Sequence, residues 1–553
     1  MDRRKALGLI ASMSLAGCAS GSKAVSCTDS SAAGKQLAID VHSHIFNGSD
    51  LQVQEFFSQT IIKDDDKKSE LHELGRFLSG ILQGLAWSSA PGAADEAKLI
   101  ATSGSSLCAR VPAALSVRDV ARADYLVGRQ MLIDATNRNP QVLRNPGVLG
   151  PTVEPDEMER AIREMPVTLD EFEQQRTDAT KVLGSHPTLG GYFDFVVHAF
   201  NHRFVNADSY FGTYRSNAER SIDLLVSSLV DYDWWLARGR RTASSLPDQL
   251  VVMGQISAMY KGRVHGFVPF CPFREAMTSK NDQPGESMVL VKSAIDNHGF
   301  MGVKLYPPMG FAAWNNVEVE AKGTWKGRPT LPEAAAQPGF GAALDKALHR
   351  LYVYCSANEV PIMAHSKTSN GPYKEFRALA GSEYWEAALK AHPGLRVSFG
   401  HFGDTDLEDD PDHTRTRAFM KLMLMQQGGN VYADSGYFAG ILTNPVAVEK
   451  TLRELFLQPK SMMHERFMYG TDWMMTLTER NVKGYLDEFV ANIADLRKTP
   501  AMPQDISDRF FARNAVTYLG LQRNGENRKR LESFYARKNI ETPDWMMKVD
   551  RLA

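Results

Sequence analysis

From residue 220 onward, short apolar runs alternate with stretches whose apolar residues recur at helical spacing. The runs are SIDLLVSSLVD (221–231), RVHGFVPF (263–270), FMGVKLY (300–306), VPIMAH (360–365), LRVSFGH (395–401), NVYAD (430–434) and RFMYGTD (466–472). Between them LPDQLVVMGQISAMY, SMVLVKSAIDNH, FGAALDKALHRLYVYCSAN and SEYWEAALKAH read as amphipathic helices. Parallel strands cannot be joined by a tight turn, so this alternation predicts parallel strands linked by crossover helices. An eighth run, LAIDVHSH (37–44), stands far upstream. Eight such units predict an α/β fold, a closed (β/α)8 TIM barrel with reactive groups gathered where the strands end.

Between the first two strands the chain spends residues 47–219, far beyond an ordinary connection. Segments such as HELGRFLSGILQGLAW and SVRDVARADYLVGRQML predict a helical insertion lying over the barrel mouth. The barrel is then built from residues 37–46 and 220–521, with a looser excursion at 312–340 and a charged extension at 522–553 expected outside it. The formal charge of −2 gives no basic footprint for nucleic acid, and the mixture of residue types is that of an ordinary globular protein; a small-molecule substrate is what the family resemblance given below implies. The sequence leaves the oligomeric state open.

On a regular strand Leu37, Ile39 and Val41 share one face while Asp40, His42 and His44 share the other. Two imidazoles on one face can grip a metal ion, or simply be solvated. More polar residues fall at strand ends: Lys304 on the fourth, His365 on the fifth, His401 on the sixth and Asp472 on the eighth. Such ends converge on one pocket, and imidazoles with a carboxylate suit zinc. Arg274 and Tyr306, just past strands three and four, are candidates to touch substrate, and Asp404 and Asp434 to orient ligands. His198 and His202 have the spacing of a zinc-protease helix, but Ala199 stands where the glutamate is needed, so they read as structural or pocket-lining.

The motifs IDVHSH, MAHS, FGHFG and YGTDW, with the closing stretch DRFFARNAVTYLGL (508–521), resemble the amidohydrolase superfamily. The similarity is to the amidohydrolase-related branch that includes aminocarboxymuconate-semialdehyde decarboxylase. The resemblance implies one divalent metal, zinc above others, on His42, His44, His365 and Asp472. It implies that His401 is the catalytic histidine or a ligand of a second metal. Lys304 would be a carboxylated bridge in two-metal relatives, and otherwise a partner for a substrate carboxylate. The activity it implies is hydrolysis of an amide, ester or lactone, with Asp472 as proton acceptor and His401 stabilising developing charge. The alternative is non-redox decarboxylation of an unsaturated or aromatic acid. A reading of another class is a metal-holding surface lipoprotein that only binds, although binding alone does not call for His401 or Asp472.

The chain begins MDRRKALGLIASMSLAGCAS, a basic start, an apolar stretch and small residues before a cysteine, the layout of an export signal. Leu15-Ala16-Gly17-Cys18 resembles the bacterial lipobox. The resemblance implies removal of the segment before Cys18, a lipid on that residue, and a lipid-anchored place in the cell envelope. Residues 19–36 are small and polar, as a tether would be. Export permits a disulfide, and Cys27 with Cys108 is a candidate pair.

Overall fold

All eight apolar runs form strands: β1 Gln36–Ser43, β2 Arg220–Ser228, β3 Val264–Pro269, β4 Gly302–Leu305, β5 Ile362–His365, β6 Val397–Gly400, β7 Val431–Asp434 and β8 Phe467–Met468. The computed structural model describes residues 27, 34–56, 90–107, 117–138, 163, 167–171, 195, 197–281, 283–368, 371–403, 412–425, 430–479 and 481–552. Each strand pairs in parallel with the next, in the order β1 to β8. The seam is drawn together by backbone bonds from the Val41 N–H to the Tyr469 carbonyl at 3.1 Å and from the Thr471 N–H to the His42 carbonyl at 3.0 Å. The fold is a (β/α)8 barrel. Its strands are buried almost throughout, as parallel strands covered on both faces must be, and this explains their continuous apolar runs.

Crossover helices occupy the stretches with helical spacing, including Leu246–Met259, Glu286–Asn297, Phe340–Ala357 and Ser382–Ala391. The charged extension does not stand apart from the barrel. Its helices Glu526–Lys538 and Asp544–Leu552 bury Leu531, Phe534, Tyr535, Trp545 and Met546 in one cluster with Ile39, Val41, Val226, Phe267 and Met363 of the strands. The Tyr535 hydroxyl meets His265 Nε2 at 2.7 Å, and the Trp545 indole N–H donates to the Gly262 carbonyl at 2.8 Å. High charge on the outer faces of these short helices hides the apolar stripe that holds them.

The alternation on β1 is broken. Its register against β2 shifts between Asp40 and Ser43, and Val41 remains with the apolar cluster that the tail helices complete. Asp40, predicted to share the histidine face, instead accepts from the Tyr210 and Thr471 hydroxyls, both at 2.6 Å, and from the His42 N–H at 3.0 Å. A bulge re-aims side chains in this way without any special residue type to announce it.

The described parts of the insertion are helical: Ala93–Leu107, Val117–Arg138 and Arg203–Tyr214. The first and the third of these are tied to the chain just after β1 by Arg203, which is fully buried. Its guanidinium donates to Asp50 Oδ2 at 2.8 Å, to Glu96 Oε2 at 2.7 Å and to the Ser49 hydroxyl at 3.0 Å. Cys27 is buried and disulfide-bonded, whereas Cys271 and Cys355 are free, buried thiols. Cys18, Cys108 and Asp404 lie outside the described residues.

Removing one partner from a buried ion pair strands the other charge, at a cost of about 3–5 kcal/mol. Arg203→Ala is therefore expected to lower unfolding stability by about that amount in a denaturant titration. A loss under about 1 kcal/mol, the size of a surface pair, would contradict this account of the insertion.

Candidate metal centre

The strand ends bring His42, His44 and Asp472 together, with one ligand-type atom from each lying within 4.8 Å of the other two. All three are buried. His44 Nε2 is 3.4 Å from Asp472 Oδ1, and that oxygen has no hydrogen-bond partner. A buried carboxylate oxygen left unpaired is costly unless something else satisfies it.

The imidazoles are held from behind. His42 Nδ1 lies 2.8 Å from Asp434 Oδ1, and His44 Nδ1 lies 2.7 Å from the Ser228 carbonyl. A carbonyl only accepts, so the proton of His44 is on Nδ1 and its Nε2 lone pair is free for an ion; the carboxylate sets the same tautomer on His42. Burial lowers the pKa of both rings well below the usual histidine value, with Lys304 adding to it, so they remain neutral. Neutral imidazoles and a carboxylate with an orphaned oxygen fit a divalent cation.

His365 and His401 form a second layer. His401 Nδ1 meets the Gly436 carbonyl at 2.8 Å, and His401 Nε2 meets His365 Nδ1 at 3.0 Å. That sequence of bonds runs donor to acceptor with His365 Nδ1–H donating, which leaves His365 Nε2, a buried nitrogen without a partner. His365 therefore stands beside the cluster of three rather than within it, its open nitrogen on the far side of the ring from His401.

Lys304, one residue before the end of β4, has its Nζ 3.4 Å from His42 Nε2 and 2.7 Å from Met363 Sδ. Burial pushes the pKa of its ammonium down, against the pull of Asp472 and Asp434. Burial pushes that of the Asp472 carboxyl up, opposed first by Lys304. Tyr306 stacks on His365, ring centres 4.2 Å apart. Arg274 lies elsewhere: it is locked against Asp231 and Asp233, both at 2.7 Å, and Glu286 at 3.1 Å. His202 stands at the N-cap position of the helix Arg203–Tyr214, with its side chain paired to Asp124 at 2.9 Å, while His198 packs edge-on against Trp473, so the two do not share a ligand site.

Two features had no clear sequence signal. Gly400 and Gly436 crowd the His42 ring and Gly470 its Cβ: a Cβ on any of them would come within 2.4 to 2.8 Å of that side chain. The sequence does show a glycine at the end of strand six and just past strands seven and eight, but not which side chain needs the room. His401 and Asp472 have left-handed backbones, with φ of 64° and 52°. For residues other than glycine this costs roughly 1–3 kcal/mol each, held by surrounding structure.

Residues 273–521 match the family model described as amidohydrolase. The chain carries an amidohydrolase domain. It is an enzyme on that ground, and members of this superfamily use metal ions. No curated protein matches the chain. Among solved structures, it is similar to an uncharacterized TIM-barrel protein from Bordetella bronchiseptica, with 15% identity and a TM-score of 0.34 over 66% of this chain and 92% of the other. It is also similar to 2,6-dihydroxybenzoate decarboxylase from Rhizobium, with 13% identity and a TM-score of 0.37 over 63% and 95%. A structure described as a "putative metal-dependent hydrolase" from Lactobacillus casei shows 12% identity and a TM-score of 0.38 over 88% and 95%. None of these similarities bears on the reaction.

Removing a group that orients a metal ligand commonly weakens metal binding by about 10–100-fold. Asp434→Ala, which frees His42 Nδ1, is expected to do so in competition with a chelator. Unchanged metal affinity in that variant would contradict the role given to Asp434.

Proposed function

We propose that the protein is a metal-dependent hydrolase of an amide, ester or lactone, with one zinc ion on His42, His44 and Asp472 and with His365 as the fourth protein ligand. The observation that carries this reading is the orphaned Asp472 Oδ1 beside His44 Nε2, in a cavity that His365 and His401 also line. The donor set of imidazoles and a carboxylate suits zinc. A divalent ion held there supplies Lewis-acid polarisation of a carbonyl and makes water nucleophilic near neutral pH.

The chain's own residues do the rest. Asp472, through the carboxylate oxygen not turned to the metal, takes a proton from the attacking water and returns it to the leaving group. His401, its ring fixed through Nδ1 by the Gly436 carbonyl, stabilises charge developing on the substrate oxygen once its Nε2 carries a proton. Tyr306 packs flat on His365 and keeps that ring from turning. A second reading, decarboxylation of an unsaturated or aromatic acid, is favoured by Lys304, a buried amine next to His42 that can hold a substrate carboxylate.

The two reactions separate by product. Hydrolysis incorporates oxygen from labelled water, whereas decarboxylation releases carbon dioxide without it. Once turnover is found on a panel of amides, lactones and unsaturated acids, His401→Ala should keep its metal and lose on the order of 10²–10⁴ in rate. Asp472→Asn should lose both. If His401→Ala loses metal as readily as His42→Ala, the role assigned to His401 is wrong.

The same proposal places the enzyme in a bacterial cell envelope, anchored by lipid on Cys18. The supports are the LAGC sequence after a basic, apolar start and the disulfide at Cys27. Among the described residues no helix is long and apolar enough to cross a membrane, so attachment would rest on the lipid. Cys18→Ala should abolish lipid labelling and leave the membrane fraction. Persistent attachment of that variant would contradict the anchor.

A further inference from the structure

The cavity at the metal centre is small and has a mostly apolar wall. It measures about 30 Å³ and is lined by Phe46, Leu51, Phe56, Val230, Tyr232, Tyr306 and Met475, besides His44, His365, His401 and Asp472. Leu51 and Phe56 come from the insertion, the part of the chain that departs from the barrel pattern. Both are nearly fully buried. Phe56 lies flat on Tyr232, ring centres 5.6 Å apart and planes within 1°. Tyr232 meets Tyr306 edge-on at 5.4 Å, and Tyr306 stacks on His365 at 4.2 Å. A continuous series of rings therefore runs from the insertion to the proposed ligand His365.

Space of this size holds about two water molecules. Benzene is bound in protein cavities on the order of 150 Å³, about five times as large. Among the described residues, no lysine or arginine lines this cavity, so a charged substituent placed in it would have no partner. Behind it a pocket of about 10 Å³, which shares Val230, Tyr232 and Tyr306, reaches Lys304 and adds little room.

We propose that Phe56, backed by Leu51, is the specificity-determining residue of this site, restricting the group beside the metal to a compact, uncharged alkyl or acyl substituent. The inference rests on the proposed metal-centred reaction and adds its substrate class. Phe56 acts by filling volume, and its stacking on Tyr232 holds it in place. Phe56 is not among the proposed ligands, so truncation at this position removes bulk from the cavity without removing a metal-binding atom.

The test uses two metal-chelating probes that differ only in bulk, acetohydroxamic acid and benzohydroxamic acid, titrated calorimetrically into the zinc-loaded full chain. Wild type should bind acetohydroxamate at least about tenfold more tightly than benzohydroxamate, a difference of about 1.4 kcal/mol. Phe56→Ala should abolish that preference by strengthening benzohydroxamate about tenfold or more, with metal content and acetohydroxamate affinity little changed. Phe56→Leu should fall between the two, and it decides the matter if Phe56→Ala takes up no metal. Equal binding of the two probes by wild type, or a preference unmoved by the variants, would overturn the inference alone. Failure of both probes to bind the zinc-loaded protein would overturn the metal-centred function and this inference with it.

Discussion

The His42 carbonyl accepts the Thr471 N–H and lies 2.6 Å from the Asp472 nitrogen, and the rest of the site depends on this crossing of chain ends. It joins the first strand to the segment after the last, some 430 residues apart in sequence. In a parallel barrel each strand is positioned only by its neighbours, so the seam is where eight increments of tilt and register must agree. Here the agreement sets two ligand-bearing segments side by side, and the distance from His44 to Asp472 follows from it.

Around that seam the protein arranges a neutral, well-braced pair of imidazoles. Asp434 and the Ser228 carbonyl fix the outer nitrogens of His42 and His44, and three glycines leave just enough room for the His42 side chain. Burial removes water that would otherwise satisfy these groups, so the orphaned Asp472 oxygen and His365 nitrogen remain high in energy without a cation. The left-handed backbones of His401 and Asp472 store further strain at the same place. The large apolar core between strands and helices, and the second one sealed by the tail helices, supply the stability that tolerates it.

Much of this was legible in the sequence because each strand had its own local signature. Eight apolar runs with helical stretches between them announce the barrel, and polar residues at the run ends announce the pocket. The bulge in β1 was not legible, since nothing in LAIDVHSH marks where the alternation breaks, and Asp40 turned to Tyr210 instead of joining His42. Nor does the sequence show what holds Arg274: its position past β3 suits substrate contact, and in the fold Asp231 and Asp233 from the β2 loop grip its guanidinium. The tail's role is concealed by its charge, which covers the exposed faces of helices whose buried stripe includes Phe534 and Trp545. Phe56 belongs to a segment with no barrel periodicity, so only the folded arrangement brings it to Tyr232.

The central claim is that one ion sits among His42, His44 and Asp472, with His365 drawn in to complete its coordination. Anomalous scattering from crystals of the zinc-loaded protein, recorded on both sides of the zinc absorption edge, locates the metal directly. The account predicts a single peak per chain within zinc-ligand distance, about 2.0–2.2 Å, of both first-strand imidazoles and the Asp472 carboxylate. Two peaks bridged by a modified Lys304, or a peak bound elsewhere, would contradict it.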